Sequence, residues 1–280
     1  MVETIRIDSH QHFWKLTENE YKWLTKDLGE IYRDFMPDDL YPFIKKYKID
    51  KTIVVQAAPT IQETVFLLSL KEQYDWIAGV IGWLDLSKPT FKRDLKNTLK
   101  YSGFIGLRPM IQDLEDDDWI LREKVLTNIQ VLIEYDVPLD LLIRPRHIPY
   151  ILRLLEIYPK LRAVVNHIAK PNIAEGQFDG WKEGLENIAA FPNVMCKLSG
   201  FITEAGYKNW TIEQFKPYIT QTLKIFEPHR VMFGSDWPVC NLSGSYDDVM
   251  NCILKNLSDY TNEKELSLIF GENAKRFYKL

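Results

Sequence analysis

The stretch KTIVVQAAPTIQETVFLLSLKEQYDWIAGVIG, residues 51–82, contains the pattern that decides the fold. Residues 51–56 and 76–82 are short apolar runs rich in β-branched side chains, and residues 61–74 between them have the pattern of a helix. Both runs are almost continuously apolar, which is typical of parallel strands buried on both faces. This stretch therefore predicts a strand, a helix and a second strand of an α/β protein.

The same alternation continues along the whole chain. Six further apolar runs lie at residues 4–8, 103–107, 137–143, 161–166, 193–198 and 230–234. Helical patterns cover residues 92–101, 117–135, 148–158, 181–190 and 211–226, and residues 263–280 read as a terminal helix. Eight strands within about 250 residues fit a closed (β/α)8 barrel. We predict one TIM-type barrel domain over residues 1–280. A doubly wound open sheet is the alternative, but the sequence has neither GxGxxG after a strand nor GxxxxGK[ST].

Composition and charge exclude several classes of function. The chain has 280 residues, of which 46% are hydrophobic and 26% charged, as in ordinary globular proteins. Its net charge of −4 provides no basic surface, so we expect neither nucleic acid nor membrane as a partner. The sequence shows no signal peptide pattern and no apolar run of about 18 residues, and its three cysteines form no CxxC pair. These features predict a cytoplasmic protein.

Four ionisable side chains follow the predicted strands at their carboxyl ends, where barrel enzymes place their chemistry. His10 and His12 follow the first strand, His167 the sixth and Asp236 the eighth. Residues two apart on an extended chain point the same way, so His10 and His12 face the barrel mouth together. In an isolated His-x-His pair a packing role for one ring is the commoner alternative. Here a third imidazole and a carboxylate complete a set that can hold a divalent metal.

Four segments of the sequence carry a resemblance to a known family. They are DSHQHFW at 8–14, NHIAKP at 166–171, FGSDWPV at 233–239 and IFGENAKRFY at 269–278. In this order they resemble the amidohydrolase superfamily, and more closely its amidohydrolase 2 branch, which contains sugar-acid lactonases such as L-fuconolactonase and L-rhamnonolactonase. A 2-pyrone-4,6-dicarboxylate lactonase is a further relative. The resemblance implies a (β/α)8 barrel that hydrolyses a sugar-acid lactone, with His10, His12, His167 and Asp236 in its active site.

Other side chains near the predicted strand ends are candidates for binding the substrate. They are Trp14, Gln56, Trp83, Arg108, Arg144, His147, Lys170 and Trp237. A guanidinium group makes bidentate contacts with a carboxylate, and aromatic rings commonly line ligand pockets. Each candidate has a structural alternative: an ion pair for the arginines, core packing for the tryptophans and loop anchoring for Lys170. The fifth histidine, His229, precedes the last strand and is predicted to be a surface or capping residue.

Lactone hydrolysis needs an activated water, stabilisation of the oxyanion and a proton for the leaving oxygen. Asp236 is the predicted general base, and the histidines polarise the carbonyl directly or through a metal. The family usually adds a histidine or a carboxylated lysine on a middle strand, where this chain has Arg144 and Lys197, with Lys170 or His147 as the alternatives for that place. The resemblance therefore implies one divalent ion, zinc or manganese, that is weakly bound or dispensable, and no organic cofactor.

Two other functions stay open at this point. One is a metal-dependent decarboxylase or another amidohydrolase that acts on an unsaturated or aromatic acid. The other is a barrel that binds a sugar acid without catalysis. A small-molecule lactone is the expected partner, and the aromatic content of 13% leaves room for a homo-oligomer interface.

Overall fold

The computed structural model describes residues 5–280 and contains a sheet of eight parallel strands that pair in sequence order. The strands are β1 (Ile7–Gln11), β2 (Lys51–Val55), β3 (Ile77–Gly82), β4 (Phe104–Leu107), β5 (Leu139–Leu141), β6 (Ala163–Val165), β7 (Val194–Leu198) and β8 (Val231–Phe233). The sheet closes just past the ends of β8 and β1. There the N–H of Asp236 donates to the carbonyl of His10 over 2.8 Å, and the N–H of His12 donates to that of Trp237 over 2.7 Å. The predicted (β/α)8 barrel is confirmed, and the open sheet is excluded.

A helix follows each strand and packs outside the barrel. The helices are α1 (Pro37–Lys46), α2 (Ile61–Gln73), α3 (Phe91–Thr98), α4 (Glu123–Glu134), α5 (Ile148–Ile157), α6 (Asp179–Ala189), α7 (Ile212–Phe226) and α8 (Tyr246–Leu257). After them come α9 (Glu263–Ser267) and α10 (Asn273–Tyr278), joined by the π-helical turn Leu268–Glu272. Among residues 5–280, no helix is both long and apolar enough to cross a membrane.

Many predicted boundaries differ from the structure by a few residues, and three of the differences have a bearing on the fold. The first strand begins at Ile7, later than predicted, and Thr4 lies outside the described residues. The helix predicted for 117–135 begins only at Glu123, after a short 3-10 turn at Trp119–Leu121. The predicted terminal helix is interrupted at Gly271, where any Cβ atom would overlap the carbonyl oxygen of Ile5. This close backbone approach accommodates only glycine.

The core of the barrel is mostly apolar, and the last helix, α10, closes the barrel at the amino ends of its strands. Its buried core consists of Ile7, Ile53, Val55, Ile81, Val164, Met195 and Met232 together with Ala274, Phe277 and Tyr278 of the last helix. One charged pair is embedded beside it: Lys197 Nζ lies 2.7 Å from Asp140 Oδ2, and the hydroxyl of Tyr278 donates to the other oxygen over 2.8 Å. Because α10 fills the amino end of the barrel, the carboxyl end is left for the site.

Candidate active site

The four side chains predicted for catalysis meet at the carboxyl end of the barrel. Three imidazole Nε2 atoms surround Oδ1 of Asp236, at 3.2 Å for His12, 3.7 Å for His10 and 3.8 Å for His167. No more than 4% of any of these side chains is exposed. One carboxylate oxygen is therefore surrounded by three imidazoles that are almost fully withdrawn from water.

Strand β1 aims His10 and His12 at Asp236. Alternate residues of a strand point to the same side, and Ser9, which points to the other side, donates its hydroxyl to the carbonyl of Phe233 over 2.6 Å. Gly234, just after β8, makes room for the first histidine, since a Cβ there would lie 2.6 Å from the Cβ of His10. The close approach of the last strand to the first thus fixes the two rings in place.

An unusual backbone turn delivers His167 to the site. The φ angles of His167, Ile168, Ala169 and Lys170 are 53°, 48°, 59° and 49°, and each non-glycine residue in this left-handed region costs roughly 1–2 kcal/mol. The indole of Trp181 supports the turn by donating to the carbonyl of Ile168 over 2.6 Å. Strain of this kind is retained where the surrounding structure enforces it, commonly at functional sites. Here it brings His167 and Lys170 to the same cavity.

His12 presents a lone pair to Asp236. Its Nδ1 lies 2.7 Å from the carbonyl oxygen of Val55, and because a carbonyl can only accept, the ring proton is on Nδ1. In the neutral ring, Nε2 is then an acceptor facing a carboxylate oxygen. A cation relieves this opposition, and His10, His12 and Asp236 offer ligand atoms within 4.8 Å of one another. This donor set fits one divalent ion such as zinc, with a second-shell carbonyl fixing the tautomer.

The middle strands contribute no further ligand within the described part of the chain. Lys197 is fully buried against Asp140, at a separation of 2.7 Å, and Arg144 Nη1 lies 3.4 Å from Glu204 Oε2. Both side chains are therefore held in ion pairs. The geometry fits a single metal rather than a pair of metals.

Burial sets the protonation states of the cluster. It lowers the pKa of His167 to about 3 despite the attraction of Asp236, and it lowers the pKa of His10 and of His12 as well. Burial opposes ionisation of Asp236, but the nearby imidazoles, above all His167, outweigh burial and hold the pKa of the carboxyl at about 2. At neutral pH the site therefore holds neutral imidazoles and an ionised carboxylate, the forms that bind metal or accept a proton.

A cavity of about 240 Å³ opens above the cluster. The predicted residues that line it are His12, Arg108, His167, Lys170 and Asp236. Sequence reasoning missed Trp23, Asp113, Thr203 and Glu204, which also line it. They lie in loops, which have no periodic pattern to identify them. A charge pair borders the cavity, since Lys170 Nζ lies 3.4 Å from Glu204 Oε1.

Gln56 is linked by two hydrogen bonds to Arg108, which lines the cavity. The Gln56 amide donates to the Arg108 carbonyl over 2.8 Å, and the Arg108 guanidinium donates to the Gln56 carbonyl. Arg108 is buried, and its Nε has no hydrogen-bond partner within the described residues. One N–H donor of this guanidinium is therefore buried without a hydrogen-bond partner among the described residues.

Six of the eight substrate-binding candidates do not line this cavity. Gln56 and Arg144 contact residues that do, whereas the other four lie away from it. Trp14 is fully buried, and its indole donates to the carbonyl of Arg33 over 2.7 Å. Trp237 packs edge-on against Phe35 with ring centroids 5.3 Å apart. His147 accepts the N–H of Arg144 over 3.0 Å, which makes it a cap of its own turn. Trp83 lines a neighbouring cavity. Position after a strand thus did not determine which way these rings point.

Comparison with known proteins places this geometry in a family. The profile of the family described as amidohydrolase matches residues 7–280. The chain belongs to the amidohydrolase family. It is 37% identical over 280 residues to an L-fucono-1,5-lactonase of Burkholderia ambifaria, covering 99% of this chain and 96% of that protein. It is 33% identical over 286 residues to an L-fucono-1,5-lactonase of Burkholderia multivorans, again covering 99% and 96%.

Solved structures support the same assignment. A crystal structure of an amidohydrolase from Burkholderia multivorans with bound zinc superposes with a TM-score of 0.93 at 32% identity, covering 99% of both chains. A 2,6-dihydroxybenzoate decarboxylase from Rhizobium has a TM-score of 0.68 at 14% identity, covering 100% of this chain and 99% of that one. The second likeness shows the barrel fold alone. The zinc-bound relative agrees with the donor set formed by His10, His12 and Asp236.

Proposed function

We propose that the protein is a hydrolase that opens a sugar-acid lactone, and that L-fucono-1,5-lactone is its substrate. The observation that carries the proposal is the Asp236 carboxylate, which three neutral imidazoles surround at the base of a cavity of about 240 Å³. The names of the two Burkholderia lactonases support the choice of lactone. The cavity is close to the lower end of the size range of small-molecule sites, as suits a single sugar ring.

Asp236 is the general base in this proposal. Its carboxylate accepts a proton from water as the water oxygen bonds to the lactone carbonyl carbon, which gives a tetrahedral oxyanion. When the ring carbon–oxygen bond breaks, the same carboxyl group returns the proton to the departing oxygen. Water and lactone thereby yield one hydroxy acid, and Asp236 ends as it began.

Positive charge beside the carbonyl stabilises the oxyanion. Arg108 and Lys170 both border the cavity and bring a guanidinium and an ammonium group to it. When bound, a divalent ion held by His10, His12 and Asp236, with His167 beside them, would supply Lewis-acid polarisation of the carbonyl. The guanidinium and ammonium groups act with or without that ion, because both belong to the protein and already border the cavity.

Hydroxyl groups of the substrate meet other polar side chains that line the cavity. Glu204 is only 12% exposed and shares its charge between Lys170 and Arg144. A carboxylate in this position accepts hydrogen bonds from sugar hydroxyls, and the neighbouring Thr203 and Asp113 offer further acceptors. We assign these residues to the choice among sugar lactones, and Lys170 to the alignment of the carbonyl.

A pH-indicator assay against a panel of aldonolactones, with and without a chelator, tests the proposal. We expect rapid acid release from L-fucono-1,5-lactone and slower release from lactones that differ in one hydroxyl configuration. The chelator arm measures how much of the rate depends on the metal. Folded, zinc-supplied protein that opens none of the lactones would refute the proposal. Release of carbon dioxide from 2,6-dihydroxybenzoate instead would support the decarboxylase alternative.

A further inference from the structure

A second cavity adjoins the catalytic one at the carboxyl ends of β2, β3 and β4. Its volume is about 680 Å³, against about 240 Å³ for the catalytic cavity. Three indole rings, those of Trp23, Trp83 and Trp119, line it. Trp23, Met110 and Asp113 border both cavities. A ligand group placed in the second cavity therefore lies directly beside a lactone bound in the first.

The walls of the second cavity are held in place by hydrogen bonds and buried anchors. Trp23 donates its indole N–H to the carbonyl of Ala57 over 2.8 Å. Trp83 donates its backbone N–H to the hydroxyl of Thr64, also over 2.8 Å. The floor contains Leu84, which is only 1% exposed. A site whose walls are already ordered loses little conformational entropy when a ligand arrives.

The lining selects an apolar ring. Indole, leucine, proline and methionine side chains predominate, and the charged groups Lys22, Asp85 and Asp113 are at least partly exposed to solvent. Aromatic side chains pack favourably on a flat ring in stacked or edge-on geometry. A monosaccharide lactone fills the first cavity and leaves this surface unused. We propose that the second cavity is a subsite for a planar apolar ring, carried next to the lactone by a second class of lactone substrates that are larger than a monosaccharide.

This inference rests on the proposed lactone hydrolysis, and a pair of substrates separates the two. The pair is δ-valerolactone and the same lactone with a phenyl group on the ring carbon next to the ring oxygen. In the wild type we expect the phenyl lactone to have at least a tenfold lower KM, because burial of a phenyl ring contributes on that scale. In Trp83→Ala we expect the KM for the phenyl lactone to rise about tenfold, with constants for the parent lactone unchanged within about twofold.

Trp76→Ala is the matched control. Trp76 immediately precedes β3, whereas Trp83 immediately follows it, and Trp76 does not line the second cavity. The control variant should keep the wild-type preference for the phenyl lactone. If the wild type and Trp83→Ala had the same ratio of KM values for the two lactones, the subsite would be overturned. A dimer in sedimentation experiments that Trp83→Ala dissociates would also overturn it, since a second copy of the chain would then cover the cavity.

If neither lactone is hydrolysed, a binding measurement with a compound that has no lactone still tests the subsite. The probe is 2-naphthol, a flat fused ring without a lactone, measured by calorimetry. We expect it to bind the wild type and Trp76→Ala alike and to bind Trp83→Ala about tenfold more weakly. Hydrolysis failing while this difference persists would refute the proposed function and keep the subsite. Binding that is absent, or equal in all three proteins, would refute the subsite by itself.

Discussion

Gly200 faces the ring of His167, and Gly200→Ala would place a methyl group where the ring now lies. A Cβ at this position would be 2.6 Å from His167 Cγ and closer still to Nδ1, whereas ordinary contact begins at 3.4 Å. Because Nδ1 is the nearest atom, the ring must move by about 1 Å to restore ordinary contact. A displacement of about 1 Å at a catalytic group costs roughly a hundredfold in rate. The φ angle of 58° adds backbone strain of about 1 kcal/mol for alanine.

The prediction is a fall of about a hundredfold in kcat/KM for L-fucono-1,5-lactone, measured by acid release. The melting temperature should fall by only a few degrees, since about 1 kcal/mol in a chain of this size shifts it by roughly 2–4 °C. Gly176→Ala is the matched control, because Gly176 has a φ of 66° and no atom within 4 Å of an added Cβ. It should show the same strain and full activity. Full activity in Gly200→Ala, or equal losses in both variants, would refute the reasoning.

Two further predictions concern pH and stability. The pKa values of His167 and Asp236, about 3 and about 2, mean that neither group changes charge near pH 6.5. A profile of kcat/KM should therefore be level from about pH 5 to pH 8; a descending limb centred near 6.5 would show that an imidazole titrates freely. Glu227 is exposed with φ 53° and ψ 155°, a region nearly restricted to glycine. Glu227→Gly should raise the free energy of unfolding by about 1 kcal/mol, the strain relieved less the entropy of glycine. Glu227→Ala should give no such gain in the same denaturant titration.

The fold was predictable because its signal repeats. Each buried strand is a run of apolar residues, and eight such runs separated by helical patterns fit few architectures. The exit positions of His10, His12, His167 and Asp236 follow from that count, since every parallel strand of a barrel ends at the same face. What the pattern could not supply is the direction of each side chain. Trp237 comes directly after Asp236, yet it packs into the core.

Two other features of the site could not be predicted from the sequence, because contacts between distant parts of the chain produce them. The left-handed turn at 167–170 contains no glycine, so the sequence does not indicate it. Tertiary contacts stabilise this turn, such as the hydrogen bond from the Trp181 indole to the Ile168 carbonyl. Trp23 and Glu204 reach the cavity from loops. Loop conformation depends on contacts that are distant in sequence, such as the bond from the Trp23 indole to Ala57. These are the residues on which we expect substrate selectivity to depend.

Asp236→Asn provides the most direct test of the account. The amide keeps the shape of the side chain and removes its capacity to accept a proton. With L-fucono-1,5-lactone, we predict that kcat falls by about 10²–10⁴ while calorimetric binding of the product acid stays within a few-fold of the wild type. A variant that keeps the wild-type kcat would contradict the assignment of Asp236 as general base, and with it the proposed mechanism of hydrolysis.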